Sequence, residues 1–551
     1  MKNPRKLLFA GWGCEDRFYA CYQNWNDPLK KIFPDMISFD TQKNIRLYGQ
    51  DRMNKKFLEL VKKEKPDYIY FWLGISEFYL ETLTKIRELF PKTKLICFGS
   101  DDDLHFDSLS RYYALFFDYY IAGQILPLEI YKKEGIDAFI TSGTNIQHFK
   151  PLNLKKIYEV TLIGTPNKDR YDLTKYLMDK GINIKIFGWG WHKYPDLKKI
   201  YGGPLSDKEL VKKIDQSKIN LCNMRTGFKT LNPIKGKILE IGATKGFLLT
   251  EYSPGLLKIF KEGKELAIYK NNKDALEKIK YYLKHEKERE KIAENLYKKI
   301  IREYDLYKDL KKFFNKIFKK ENSFSHKPFP KINKKITLIE KKDLKLSLEK
   351  LKGKLRETDY VTFSNEKAKF LPYKDYLQAY SLEKSGKPIS CCDYQVYSKN
   401  IGNYLVFKAK SAFMLLNRED FYSLLDVNQL MTTKEYLLKN IRLFQEFFNG
   451  RRINIINNQN TAFLQIPLLQ ISRLKKINYK DMKKVFHLRF MRKIETLFYQ
   501  KKLFSNSYIY KIFLEGISGN LFPLRCLFDL SFDRNKINAL KRILRKKITP
   551  Q

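Results

Sequence analysis

The chain has 551 residues, 43% of them apolar and 30% charged, proportions that suit a globular protein and exclude a disordered or fibrous one. Lys and Arg number 106 against 61 Asp and Glu, a formal charge of +45, and 20 basic against 5 acidic residues put +15 of it between Arg473 and Gln551. At roughly 150 residues per domain the length predicts three or four domains.

Met1–Leu8 carries basic residues but no apolar run of signal-peptide length, so a cytoplasmic location is expected. Short apolar, β-branched or aromatic runs follow at Lys6–Ala10, Tyr68–Leu73, Leu95–Phe98, Tyr119–Ala122 and Ala138–Ile140, with helical stretches such as Asp51–Lys63 and Tyr79–Leu89 between them. Strands apolar on both sides belong to a parallel sheet covered on both faces. A linker at Asn153–Lys156 separates this first unit, 1–152, from a second, 153–321. The second unit has strands at Tyr158–Ile163, Ile182–Phe187, Ile219–Cys222, Phe247–Thr250 and Leu266–Tyr269. Its helices are expected at Tyr171–Lys180, Asp207–Gln216, Lys235–Thr244 and Asp274–Leu283, and the long charged helix Glu286–Arg302 closes it. The expected fold is α/β: two Rossmann-like doubly wound domains facing a cleft.

Asn322–Lys335 is polar and holds Pro328 and Pro330, which marks a boundary. Beyond it, 336–470 reads as an α+β region with strands at Tyr360–Phe363 and Tyr404–Phe407 and another expected at Ile453–Ile456. From Ile471 the aromatic and basic residues alternate at helical spacing, so 471–551 is expected to be a basic helical tail. No stretch reaches the ~18 uninterrupted apolar residues of a membrane-spanning helix. Seven scattered cysteines form no CxxC pair, and the six histidines lie apart from them. Neither a disulfide framework, a metal site nor a cofactor is expected.

Four stretches of the second unit could carry chemistry. Gly164-Thr165-Pro166-Asn167-Lys168-Asp169-Arg170 follows its first strand and opens a helix, where backbone N–H groups and Arg170 could meet a phosphate. The spacing fits neither phosphate-loop fingerprint, and a βα turn with a surface arginine is the plain alternative. Phe187-Gly188-Trp189-Gly190-Trp191 ends the next strand, so the Trp189 indole either stacks on a base or sugar or plugs a loop. In Gly236–Glu251 a small-residue helix is expected to stop at Gly246 before an apolar strand, and Glu240 lies among apolar neighbours on that helix. A carboxylate there needs a partner, either adjacent hydroxyls such as those of a ribose or a nearby lysine. Ser253-Pro254-Gly255-Leu256 opens another helix whose free N–H groups could face a diphosphate.

Taken together, these stretches resemble the spore-maturation-protein (CgeB-like) type of glycosyltransferase, whose architecture is GT-B. Ile186–Gly190, Gly203-Pro204-Leu205, Ser217–Leu221, Leu239–Ala243 and Lys264–Tyr269 carry the resemblance along with Gly164–Arg170. It covers roughly residues 1–320 and is strongest from 158 to 285. It implies a nucleotide-sugar donor in the second domain, with Glu240 on the ribose. Gly164, Arg170, Trp189, Lys237, Ser253, Gly255 and Leu256 would then surround the rest of the donor. Asn232 stands where related retaining enzymes often carry a second glutamate, which leaves the stereochemical outcome open.

The first domain is expected to supply the acceptor side, with Gly11-Trp12-Gly13 lining the cleft after the first strand. In Ser100–His105 three adjacent carboxylates repel one another, so Asp101 or Asp102 could act as general base, as could His105. An acidic helix N-cap is the alternative. Ser142–Pro151, which includes His148, resembles the segment entering the interdomain linker and either touches substrate or fixes the hinge. Asp359–Glu366, followed by Phe370-Leu371-Pro372, faintly resembles the centre of a family-2 (GT-A) glycosyltransferase, but Ser364-Asn365-Glu366 stands where those enzymes place a metal-binding DxD, so a degenerate, non-catalytic remnant is expected. The expected partners are a nucleotide-sugar donor, a glycan, lipid-linked or protein acceptor, and an anionic membrane surface for 473–551, or a lysine-rich face of compositional origin. Specific nucleic-acid binding is not expected, because no recognised motif accompanies the charge.

Overall fold

The computed structural model describes residues 5–488 apart from 16–21, 74–76, 100–101, 124, 142, 225–235, 320–324, 365–367, 399–401, 408, 410–424, 450–454 and 472–485. Its first sheet has six parallel strands: β1 Leu7–Gly11, β2 Ile37–Asp40, β3 Tyr68–Trp72, β4 Lys94–Gly99, β5 Tyr119–Ala122 and β6 Ala138–Ile140. Their spatial order is β2-β1-β3-β4-β5-β6. The second sheet comprises β7 Tyr158–Ile163, β8 Ile184–Phe187, β9 Ser217–Cys222, β10 Leu248–Glu251 and β11 Ala267–Tyr269, all parallel in the order β11-β10-β9-β7-β8. Two doubly wound sheets in succession make the two-Rossmann GT-B architecture. In each, strand order reverses beside the unit's first strand, between β1 and β3 and between β7 and β9. Ligands of such sheets bind at that switch point, beyond the carboxyl ends of the strands.

Side chains alternate across the first sheet because the strand period is two. Leu7, Phe9, Tyr68 and Tyr70 face one core, while Leu8, Ala10, Ile69 and Phe71 face another. Into the first of these packs the helix Leu306–Phe318, whose Leu306, Leu310, Phe313, Phe314 and Ile317 form one apolar stripe. The chain thus returns from the second unit to cover the first, so the expected boundary at 321 falls after a helix that packs with the opening sheet. The outgoing and returning segments pair at the crossing, where Thr144 N–H donates to the Tyr304 carbonyl (3.0 Å) and Leu306 N–H to that of Thr144 (3.1 Å).

The third region builds a mixed eight-stranded sheet from β12 Ile336–Glu340, β13 Tyr360–Ser364, β14 Ala368–Phe370, β15 Ile389–Ser398, β16 Gly402–Phe407, β17 Leu430–Thr433, β18 Thr461–Ile471 and β19 Phe486–Leu488. Ile455 and Ile456 are buried outside any strand, unlike the strand expected there. Phe486–Leu488, which falls within the expected basic helical tail, is instead a strand antiparallel to β16, because β16 offers an unpaired edge. Residues 489–551, which hold most of the expected membrane-facing tail, lie outside the described residues. The third region is not tethered loosely. One continuous apolar core runs from Leu8, Ile69 and Phe71 through Tyr112, Phe116 and Phe117 to Val361, Phe363 and Tyr380. Among the described residues no helix is long and apolar enough to cross a membrane.

Candidate active site

At the second switch point, the turn after β7 is shaped by close backbone approach. A Cβ on Gly188 would lie 2.4 Å from the Gly164 carbonyl oxygen, and Gly188 has φ +128°, so only glycine fits. That carbonyl accepts the Trp191 Nε1–H at 2.7 Å. Trp191 is 1% exposed and plugs the loop, whereas Trp189 is 44% exposed at the strand's carboxyl end. Asn167 caps the helix Lys168–Asp179 by accepting the Arg170 N–H (2.8 Å). The Arg170 guanidinium folds back to donate to the Thr165 carbonyl (2.6 Å) and lies against Gly164. Arg170 therefore borders the turn after β7, with one of its donors already used on the Thr165 carbonyl.

Glu240 lies on the helix Gly236–Ala243 and is 9% exposed. Its Oε2 is paired with the Lys237 ammonium one turn earlier, so of the two partners open from sequence, adjacent hydroxyls or a nearby lysine, the lysine is the one present, and the acid is buried all the same. Lys237, assigned to the diphosphate from the resemblance, is thus placed on Glu240. Gly242 has a packing reason rather than a ligand one: a Cβ there would stand 2.7 Å from Ile300 and 2.9 Å from Leu296 of the helix Glu286–Glu303. The helix stop also differs from expectation, since Lys245, at φ +58°, takes the left-handed position rather than Gly246. Ser253 is buried, and the helix it precedes, Pro254–Leu257, has only four residues, with Gly255 and Leu256 inside it. A single turn aligns few peptide dipoles, so its pull on a diphosphate is small. Asn232 lies outside the described residues.

Residues given no specific role from sequence complete this edge. Glu251 ends β10, is 4% exposed and accepts the Met224 N–H (3.0 Å), fixing the chain after β9. Tyr269, ending β11, donates to the Cys222 carbonyl (3.3 Å). His148, between the two sheets in sequence, faces Asp27 of the first unit and Glu240 of the second, and burial lowers its pKa so that the imidazole is neutral. A carboxylate closing an apolar parallel strand was the legible signal for Glu251; His148 lay in the linker-entry segment Ser142–Pro151 without a role of its own, and nothing local marked Tyr269.

In the first domain, Gly11 ends β1 and Gly13, at φ +68°, turns the chain, with the half-buried Trp12 between them. Glu15 pins this turn by accepting the Asp40 N–H (2.9 Å) and pairing with Lys43. The acidic segment divides. Asp101 lies outside the described residues. Asp102 is fully buried, its Oδ1 accepting from the hydroxyls of Tyr120 (3.1 Å) and Tyr131 (3.3 Å), and burial pushes its pKa up to about 7. A carboxyl enclosed by two tyrosines meets no acceptor, so the base role expected of Asp102 does not fit its position. His105 is half-buried, its Nδ1 standing 2.9 Å from Gln465 Oε1 of the third region.

Residues 170–315 match the family model described as "Glycosyl transferase-like". No curated protein matches the chain. Solved structures similar to it include HepE of Anabaena in complex with UDP and glucose, at 12% identity and TM-score 0.42, covering 57% of this chain and 100% of that one. Others are a glycosyltransferase from Rickettsia africae (13%, TM-score 0.39, 59% and 100%) and sucrose-phosphate synthase from Thermosynechococcus elongatus (11%, TM-score 0.40, 57% and 100%).

Proposed function

We propose that the chain is a glycosyltransferase of the CgeB-like type that moves a sugar from a nucleotide-diphosphate donor to a glycan, lipid-linked or protein acceptor. The match of residues 170–315 to a glycosyltransferase-like family model carries this reading, because the matched span contains Arg170, Glu240 and Glu251 at the carboxyl edge of one parallel sheet. Glu240 binds the ribose, since a vicinal diol supplies two donors to a buried carboxylate. Arg170, with Lys237 once the ribose replaces it on Glu240, neutralises the diphosphate, so the reading calls for no metal. Trp189 offers an exposed indole to base or sugar. On the first domain, His105 or Asp101 takes the acceptor proton beyond Gly11–Gly13. The reading places the enzyme in the cytoplasm, with 473–551 on the anionic inner face of a membrane.

The pairing of Glu240 with Lys237 favours a second reading, a non-catalytic sugar-nucleotide binder or scaffold, because the acid already has a partner. Thermal-shift titration of the full chain with UDP-, GDP-, ADP- and CDP-sugars, followed by assays of donor hydrolysis and transfer, separates the two. A stabilising donor whose effect is lost in Glu240→Ala, together with turnover, supports the transferase. Binding without turnover supports the scaffold, and no response to any donor removes both.

A further inference from the structure

The third region meets the first domain at two backbone irregularities. In β18 the register against β15 jumps from Cys392↔Leu464 to Asp393↔Pro467, so Gln465 and Ile466 form a bulge outside the ladder. Bulges re-aim side chains, often beside active sites. Ile466 turns into the shared core, and the Gln465 amide reaches across to His105. Directly after His105 the first domain makes a five-residue π-helical turn, Phe106–Ser110, a form that recurs at functional sites. The far end of that turn is also held by the third region. Arg111 pairs with Glu134, whose Oε2 accepts the Tyr380 hydroxyl at 3.1 Å. His105–Arg111 is thus held at both ends by residues from beyond position 370.

We infer that Gln465 is a positioning residue for His105, so that the third region is an integral part of the acceptor side of the site and not an appended domain. An amide oxygen can only accept, so the 2.9 Å contact requires the proton on His105 Nδ1. The neutral ring then carries its basic lone pair on Nε2, which is the tautomer a general base needs if Nε2 is to take the proton of an acceptor hydroxyl. The backbone distortions keep the pair in register. This inference rests on the transferase reading for the role of His105, but the contact and its tautomer stand apart from it.

The test uses the full chain with 15N-labelled histidine, whose ring shifts report the tautomer of His105, and transfer kinetics on a donor identified by the titration above. In the native protein His105 is expected as Nδ1–H. Gln465→Met, nearly isosteric but without an acceptor, should release the ring to a mixture with Nε2–H and lower kcat about tenfold, with the donor KM unchanged. Gln465→Glu restores an acceptor and should recover the Nδ1–H form and most of kcat even if the methionine variant folds poorly. A native ring already in the Nε2–H form, or equal tautomers in the native and methionine proteins, overturns the inference. Equal kcat in all three proteins does the same. If no donor turns over while the tautomer responds as expected, the transferase reading fails and the positioning of His105 by Gln465 survives.

Discussion

Lys237 and Glu240 stand one turn apart on a single helix and close an ion pair whose side chains are only 24% and 11% exposed. A pair so placed holds the carboxylate in position, and a diol that takes both of its oxygens must displace the lysine from Oε2. The displaced ammonium is then within reach of whatever phosphate accompanies the ribose. Lys237→Ala is therefore expected to weaken binding of a nucleoside diphosphate about tenfold, the size of one charge-assisted hydrogen bond, and to leave the parent nucleoside almost unaffected. Calorimetric titration with the two ligands checks it. Equal losses for both would show that Lys237 acts only through Glu240.

The buried Asp102 makes stability depend on pH in an unusual direction. Its pKa rises from an ordinary 3.8 to about 7 because burial penalises the charge. The folded chain therefore holds a proton that the unfolded chain has released, and this group's contribution to stability falls as pH rises from about 4 to about 7, then levels off. The cost above pH 7 is on the order of 4 kcal/mol. Asp102→Asn keeps an acceptor for Tyr120 and Tyr131 without the charge. It should raise the urea midpoint at pH 8 and change it little at pH 4, whereas a base acting in catalysis would lose turnover at every pH.

The two tryptophans after β8 should separate stability from binding. Trp191 is buried and hydrogen-bonded to the Gly164 carbonyl, so Trp191→Ala is expected to cost about 3–5 kcal/mol in urea unfolding. Trp189 is 44% exposed, and Trp189→Ala should cost under about 1 kcal/mol while weakening donor binding by a stacking increment of about 1–3 kcal/mol. Unchanged donor affinity in the Trp189 variant would remove the stacking role.

Gly188→Ala probes whether the turn after β7 must keep its shape. The added methyl meets the Gly164 carbonyl oxygen at 2.4 Å and the φ of +128° is hostile to any side chain. Backbone cannot yield as a flexible side chain can, so the turn itself must move, at a cost of about 1–3 kcal/mol. Loss of donor-induced thermal stabilisation beyond the drop in melting temperature is the expected result. A variant that melts lower yet binds donor as before would place the phosphate elsewhere.

Breaking the clamp on the π-helical turn should be costly too. Arg111 and Glu134 are 12% and 6% exposed, so Glu134→Ala leaves a nearly buried guanidinium with only the more distant Asp107 carboxylate, 3.9 Å away, and strands the Tyr380 hydroxyl. A loss of about 3–5 kcal/mol is expected in urea unfolding. A loss under 1 kcal/mol would mean that apolar packing alone holds the third region in place.

Strand positions in the first two units were legible because a parallel strand buried on both faces has to be apolar throughout, as Tyr119–Ala122 is, and the apolar edge strand Ala138–Ile140 also stands where the pattern put it. The four-residue β2, ending in the polar Asp40, gave no such signal. Glu240 stood out by the same reasoning, as a carboxylate in an apolar helix. What sequence could not supply was direction and distance. Local pattern reports which residues share a face within one element, but the partner across a gap depends on how elements pack. So Asp102 turned into a tyrosine cage, the helix Leu306–Phe318 crossed back to the opening sheet, and Gln465 met His105 from 360 residues away. Periodicity along the chain fixed the two α/β layers, whereas long-range packing, which has no period, decided what surrounds each reactive group.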